Sequence, residues 1–196
     1  MIRVLLQKGR VDKSFLNTLV EKKFVSEKIE IDRSLIVNVQ DLKLMFVKPD
    51  DISLVLDSDK ADIAVLGSDI IEEKYRDKYF ELLDFNENKC RFALIGFKDT
   101  IPGDINIVAT KYPNIARRYL EEMKRRCEIL KLNGSLELYP NIGLCDAIID
   151  LVETGSTLRA NGLDIIKEFD PISTKIITAK GKENSTEIKK LINKLR

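Results

Sequence analysis

Histidine is absent from this 196-residue chain. That removes the side chain that titrates nearest neutral pH, the commonest metal ligand, and every Ser-His or Cys-His nucleophilic device. Chemistry has to run on carboxylates, Lys, Arg, backbone amides or a bound metal. A charge excess is missing too: 33 Lys and Arg stand against 32 Asp and Glu, a net charge of +1. Nucleic-acid binders usually show a basic surplus, so neither DNA nor RNA is expected as a partner. The three cysteines, Cys90, Cys127 and Cys145, are odd in number and widely spaced. They fit no zinc site and no disulfide framework, and read as reduced thiols. No apolar run approaches the roughly 20 residues that span a bilayer. The opening Met1-Ile2-Arg3-Val4-Leu5-Leu6-Gln7-Lys8 is too briefly apolar for a secretory signal. With 44% hydrophobic and 33% charged residues, the chain is expected to be globular, soluble and cytoplasmic, as one large domain or two small ones.

Short apolar runs alternate with amphipathic ones, the pattern of an α/β fold. Strands are expected at Ile2–Leu6, Leu44–Val47, Ala61–Leu66, Phe80–Leu83, Arg91–Gly96, Ile105–Ala109, Ile129–Leu132, Ala147–Val152, Ile165–Phe169 and Lys175–Ala179. Helices are expected at Asp12–Lys23, Pro49–Leu56, Pro113–Arg126, from Thr157, and at Ser185–Leu195 with Ser185 as N-cap. One segment echoes another. Asp62 and Asp146 each follow a small residue and precede a buried strand, a polar turn and a helix. The echo predicts two similar lobes, with ligands at the carboxyl ends of their strands.

The stretch Asp150-Leu151-Val152-Glu153-Thr154-Gly155-Ser156-Thr157 carries the most chemistry. A buried strand ends near Val152 and a helix begins near Thr157. Gly155 lets the backbone approach a bulky anion. The first amides of the helix point outward at the positive end of its dipole. Thr154, Ser156 and Thr157 add hydroxyls. Asp150 and Glu153 are out of place beside a bare phosphate, but fit a ligand that also has hydroxyls or a divalent metal. A ribose 5-phosphate has both a phosphate and hydroxyls. On these residues alone, a plain strand–turn–helix link with Thr157 as N-cap stays open.

Three ordered motifs resemble those of the ATP phosphoribosyltransferase family. They are Thr110-Lys111-Tyr112-Pro113-Asn114-Ile115-Ala116-Arg117-Arg118-Tyr119, then Lys131-Leu132-Asn133-Gly134-Ser135-Leu136-Glu137-Leu138, then the run from Gly143 through Thr157 to Leu163. Gln7-Lys8-Gly9-Arg10 and Asn88-Lys89-Cys90-Arg91 are similar landmarks. The resemblance implies two α/β lobes of the periplasmic-binding-protein type II kind, the active site in the cleft between them. The first lobe is placed at 1–90 plus 171–196 and the second, with the ribose-phosphate site, at 91–170. It also implies a reaction in which N1 of the ATP adenine displaces pyrophosphate from phosphoribosyl pyrophosphate, with substrate-bound magnesium. That is the first step of histidine biosynthesis. The chain is similar to the short form, which works in a hetero-oligomer with a regulatory subunit resembling a histidyl-tRNA synthetase.

By the same resemblance, Asp150, Glu153, Thr154, Gly155, Ser156, Thr157 and Lys111 are expected to hold phosphoribosyl pyrophosphate. Lys8, Gly9, Arg10 and Glu137 are expected on the ATP side, and Asp150, Lys8 and Arg10 are the catalytic candidates. No metal ligand is assigned. Some positions depart from the family. Lys48 stands where Arg is common, Ser156 where the phosphate turn often has Arg, and Tyr139 where a small residue is usual. The region Asp57-Ser58-Asp59-Lys60 lacks the usual glycines. These departures keep open a catalytically weakened regulatory subunit. A solute-binding module on the same fold is the other alternative.

Overall fold

The computed structural model describes every residue except 27, 28, 30, 32 and 87–89, and for Arg10 the backbone alone. In chain order the elements begin with β1 (Ile2–Gln7), α1 (Arg10–Glu21), β2 (Ile36–Val39), β3 (Leu42–Val47), α2 (Ile52–Asp57), β4 (Ile63–Gly67), α3 (Ser68–Lys74) and β5 (Tyr79–Asp84). There follow β6 (Cys90–Phe97), β7 (Ile107–Thr110), α4 (Pro113–Glu122), β8 (Glu128–Lys131), α5 (Leu138–Asn141) and β9 (Ala147–Val152). The chain closes with α6 (Ser156–Ala160), β10 (Leu163–Ile172), β11 (Thr174–Ala179) and α7 (Thr186–Leu195). Two compact units result, Met1–Glu87 with Ser173–Arg196, and Asn88–Ile172. Of the landmark at 88–91, residues 88 and 89 lie outside the described residues, and Cys90 and Arg91 open β6. Among the described residues no helix is long and apolar enough to cross a membrane.

The first unit is a sheet of order β2-β3-β1-β4-β11-β5. Its central strands are buried on both faces, which is why Val4-Leu5-Leu6 and Ile63-Ala64-Val65-Leu66 read as continuous apolar runs. Val4 and Leu6 face α1 and α7 through Phe15, Leu19, Ile188 and Leu191. Leu5 and Leu66 face α2 through Ile52 and Leu56. The second unit is a sheet of order β10-β6-β9-β7-β8. Ile149 meets Tyr119 and Leu120 of α4 on one face, and Ile148 meets Leu136 and Leu158 on the other.

The two units repeat one plan. Without the edge strand β2, the first reads β3-β1-β4-β11-β5 and the second β8-β7-β9-β6-β10, with the same parallel and antiparallel pairings in the same order. The echo around Asp62 and Asp146 has a physical basis. Asp62 donates its amide to Arg3 O at 2.9 Å and accepts from Arg3 N at 2.8 Å. Asp146 donates to Ile107 O at 3.0 Å and accepts from Ile107 N at 2.9 Å. Each aspartate thus ties the start of its own strand to the start of the parallel neighbour and fixes the register.

Two helices stop short of their apolar pattern. α1 ends at Glu21 and α4 at Glu122, because Lys23 and Lys124 adopt left-handed backbone, φ 55° in both. Phe24 N then returns to Leu19 O and Arg125 N to Leu120 O, both at 2.8 Å. These are Schellman closures made without the glycine that normally signals them. Asp59 does the same for α2, at φ 58°. The missing glycines of the 57–60 region therefore leave a left-handed turn in place.

Candidate active site

β9 lies between β7 and β6 in the second unit, so a polar side chain on it is enclosed from both sides. Asp150 is that side chain, opposite Ala93 of β6 and one residue beyond the Thr110–Ile149 pair with β7. Its carboxylate is mostly buried, with 16% of the side chain exposed. Oδ1 accepts from Leu151 N at 2.8 Å, and Oδ2 faces Lys111 Nζ at 3.5 Å. Burial pushes the Asp150 carboxyl above the usual carboxylate range, and the charge of Glu137 adds to that. The Leu151 amide and Lys111 pull the other way without reversing it. The ionised carboxylate is therefore held at a cost, and ligand hydroxyls donating to it are suited to offset that cost.

The chain leaves β9 at Val152 and turns at Gly155, where φ is 71° and ψ 11°. This left-handed conformation favours glycine, and a Cβ there would also come within 3.2 Å of Arg159 Nη1. Gly155, not Thr157, is the N-cap of α6, and its carbonyl accepts the helix's first bond from Arg159 N at 3.1 Å. The amides of Ser156, Thr157 and Leu158 thus lie in the first turn. The Thr154 and Ser156 hydroxyls are 3.1 Å apart, gathering donors around the turn. Glu153, Thr154, Ser156 and Thr157 are exposed, and Gly155 is buried.

Ser156 brings no charge to this turn but Arg159 does, and residue types in order do not single it out. One helical turn brings the Arg159 guanidinium back beside Gly155, as the spacing of four residues signals. The second unit thus brings together Lys111, Glu137, Asp150 and Arg159 with the 153–157 turn. Arg117 and Arg118 do not join them by their bonds. Arg117 bonds Asn114, and Arg118 pairs with Glu122 and Asp170 while lying over the Tyr119 ring.

Lys8, Gly9 and Arg10 belong to the first unit. Gly9, at φ 131°, caps α1, and its amide donates to Asp12 Oδ1 at 3.1 Å. Lys8 is exposed, its Nζ 5.4 Å above the Phe46 ring. The Arg10 side chain lies outside the described residues.

The ATP phosphoribosyltransferase (HisG) family profile matches residues 48–196. The ATP phosphoribosyltransferase of Lactococcus lactis subsp. cremoris is 40% identical over 185 residues, 92% of this chain and 89% of that protein. That of Thermoanaerobacter pseudethanolicus is 40% identical over 203 residues, 100% and 94% of the two chains. In structure the chain is similar to the ATP phosphoribosyl transferase (HisG:HisZ) complex from Thermotoga maritima. There the TM-score is 0.80 at 30% identity, with 100% and 96% of the chains covered. The periplasmic aliphatic sulphonate binding protein SsuA from Escherichia coli, 13% identical with a TM-score of 0.64, shares the fold over 99% of this chain and 67% of its own. The architecture is therefore that of the type II periplasmic binding proteins.

Proposed function

The chain belongs to the ATP phosphoribosyltransferase family, and from that premise we propose that segment 150–157 holds the ribose 5-phosphate end of phosphoribosyl pyrophosphate. The reaction opens histidine biosynthesis. The lone pair of adenine N1 in ATP forms a bond to C1 of the ribose. The C1–O1 bond breaks, and its electron pair leaves on pyrophosphate. No general base is needed for the attack, in keeping with a chain that has no histidine.

Asp150 accepts from the ribose hydroxyls and fixes the anomeric carbon for displacement. The first-turn amides, the Thr154, Ser156 and Thr157 hydroxyls and the Arg159 guanidinium hold the 5-phosphate. Glu153, exposed beside the turn, accepts from a ribose hydroxyl alongside Asp150. Lys111, partly exposed, is free to swing toward the pyrophosphate as charge develops on it. Lys8, Gly9 and Arg10 serve the phosphates of ATP, and Glu137 its adenine. Among the described residues no three candidate ligands gather into a metal site. That donor set fits magnesium carried by substrate phosphates and water, with Lys111 and Arg159 sharing the phosphate charge. When bound, the ion would help neutralise the leaving pyrophosphate beside Lys111 and Arg159. The cytoplasm, where both substrates are made, is the proposed location. A regulatory subunit resembling a histidyl-tRNA synthetase is the proposed partner, in a hetero-oligomer like the Thermotoga maritima complex.

The observation that carries this reading is the buried Asp150 paired with Lys111 beside a donor-rich turn. The test mixes the chain with ATP, phosphoribosyl pyrophosphate, magnesium and pyrophosphatase, with and without the partner, and follows phosphoribosyl-ATP. Folded protein that makes none under any condition would sink the reading.

A further inference from the structure

We infer that Thr110 is a positioning residue for the Lys111–Asp150 pair, through a hydroxyl that its counterpart in the other unit does without. This rests on the reading of Asp150 and its turn as the phosphoribosyl pyrophosphate site. Thr110 is fully buried at the end of β7. Its Oγ1 donates to Ile149 O at 2.7 Å and accepts from Tyr112 N at 3.0 Å. Ile149 immediately precedes Asp150, and Tyr112 immediately follows Lys111. One hydroxyl therefore holds the backbone beside each member of the pair, across the gap between two strands.

The repeated plan of the two units separates this role from packing. Aligned on Asp62 with Arg3 and on Asp146 with Ile107, Thr110 corresponds to Leu6, Lys111 to Gln7 and Asp150 to Leu66. The matching strand pairs are Leu6 with Val65 and Thr110 with Ile149. Leu6 is also fully buried. The first unit thus closes the same parallel ladder with an apolar residue where the second spends a hydroxyl. The polar residue appears in the unit that also has the ion pair, and both of its bonds flank that pair. A Thr there for packing alone would be replaceable by Val.

The test uses the full chain with its partner subunit. Thr110→Val removes the hydroxyl and keeps the shape; Thr110→Ser keeps the hydroxyl. Loss of one buried hydrogen-bonding group gives an expected rise of about tenfold in KM for phosphoribosyl pyrophosphate, with KM for ATP nearly unchanged and Thr110→Ser near wild type. Adding Thr110→Val to Lys111→Met should cost little further, because the residue acts through the pair that Lys111→Met has already broken. The groups facing Asp150 are Lys111 and Glu137, so a displaced Lys111 should move the Asp150 titration, followed by carboxyl carbon-13 NMR, to higher pH. Should Thr110→Val fail to fold, Thr110→Cys, of similar size with a weaker donor and acceptor, carries the same comparisons. Equal losses with and without Lys111, a Ser variant as weak as Val, or an unmoved Asp150 titration would each overturn the inference. Asp150→Asn with unchanged use of phosphoribosyl pyrophosphate would instead overturn the site reading, and the inference with it.

Discussion

Lys111 Nζ and Asp150 Oδ2 face each other at 3.5 Å, the carboxylate mostly buried and the ammonium more than a third exposed. A charge-assisted bond normally closes to about 2.7–2.9 Å. The pair is therefore attracted but not locked, and the carboxylate stays above its ordinary pKa range because burial outweighs its partners. A carboxylate held this way gains from any further hydroxyl that donates to it.

Asp150→Asn should accordingly stabilise the ligand-free protein while crippling it. A carboxyl whose folded pKa is raised favours folding below its ordinary range and loses that contribution as pH rises through the raised value. At pH 7 the neutral amide should melt higher than wild type, by about 2–4 °C for each kcal/mol relieved. The gap should narrow as pH falls through the raised pKa and close below the ordinary carboxylate range. Calorimetry across pH checks the sign, and a variant that melts lower at pH 7 refutes it. Use of phosphoribosyl pyrophosphate should fall far more than ATP binding.

Gly155→Ala puts a Cβ on a left-handed residue and against Arg159. The conformational term alone should cost about 1–2 kcal/mol. The phosphate turn should shift with it. Chemical denaturation and KM for phosphoribosyl pyrophosphate should both respond. Gly143, also at φ 71° but with nothing within 4 Å of its Cβ, is the control: Gly143→Ala should cost stability without the matching loss of substrate affinity.

Arg159→Gln tests the cation beside the turn. Losing a charged phosphate partner should raise KM for phosphoribosyl pyrophosphate by about tenfold or more, with ATP little affected. An unchanged KM would leave the 5-phosphate to amides and hydroxyls alone.

The sequence made most of this legible, and its failures have physical causes. The strands buried on both faces, β1, β4 and β9, announce themselves as apolar runs. β2 does not, because it is an edge strand with Ile36 more than half exposed. The early ends of α1 and α4 were hidden because lysines, not glycines, take the left-handed position. In the site, Asp150 and the 153–157 turn could be read from residue types in order. Arg159 and Thr110 could not, since their importance lies in what they touch, one turn of helix or one strand away.

Asp62 and Asp146 occupy equivalent places yet should differ in what neutralisation costs. Both accept the amide of the neighbouring strand, but only Asp62 also takes two guanidinium bonds, from Arg3 Nε at 3.0 Å and Nη2 at 2.5 Å. Burial alone would raise the Asp62 carboxyl; the bonds and charge of Arg3, with Lys182 added, more than reverse this and hold it below the usual range. A carboxylate with a lowered folded pKa contributes stability that is full above its ordinary range and lost as pH falls through the lowered value. Asp62→Asn should therefore cost about 1 kcal/mol at pH 7, after allowance for the partly exposed Arg3. That cost should disappear at a pH low enough to protonate Asp62. Asp146→Asn keeps an acceptor for Ile107 N and loses no guanidinium partner, so its cost at pH 7 should be smaller. Melting curves of Asp62→Asn between pH 2 and pH 7 check the sign, and a cost that does not change with pH, or one no larger than that of Asp146→Asn at pH 7, would show that Arg3 adds nothing to the strand tie.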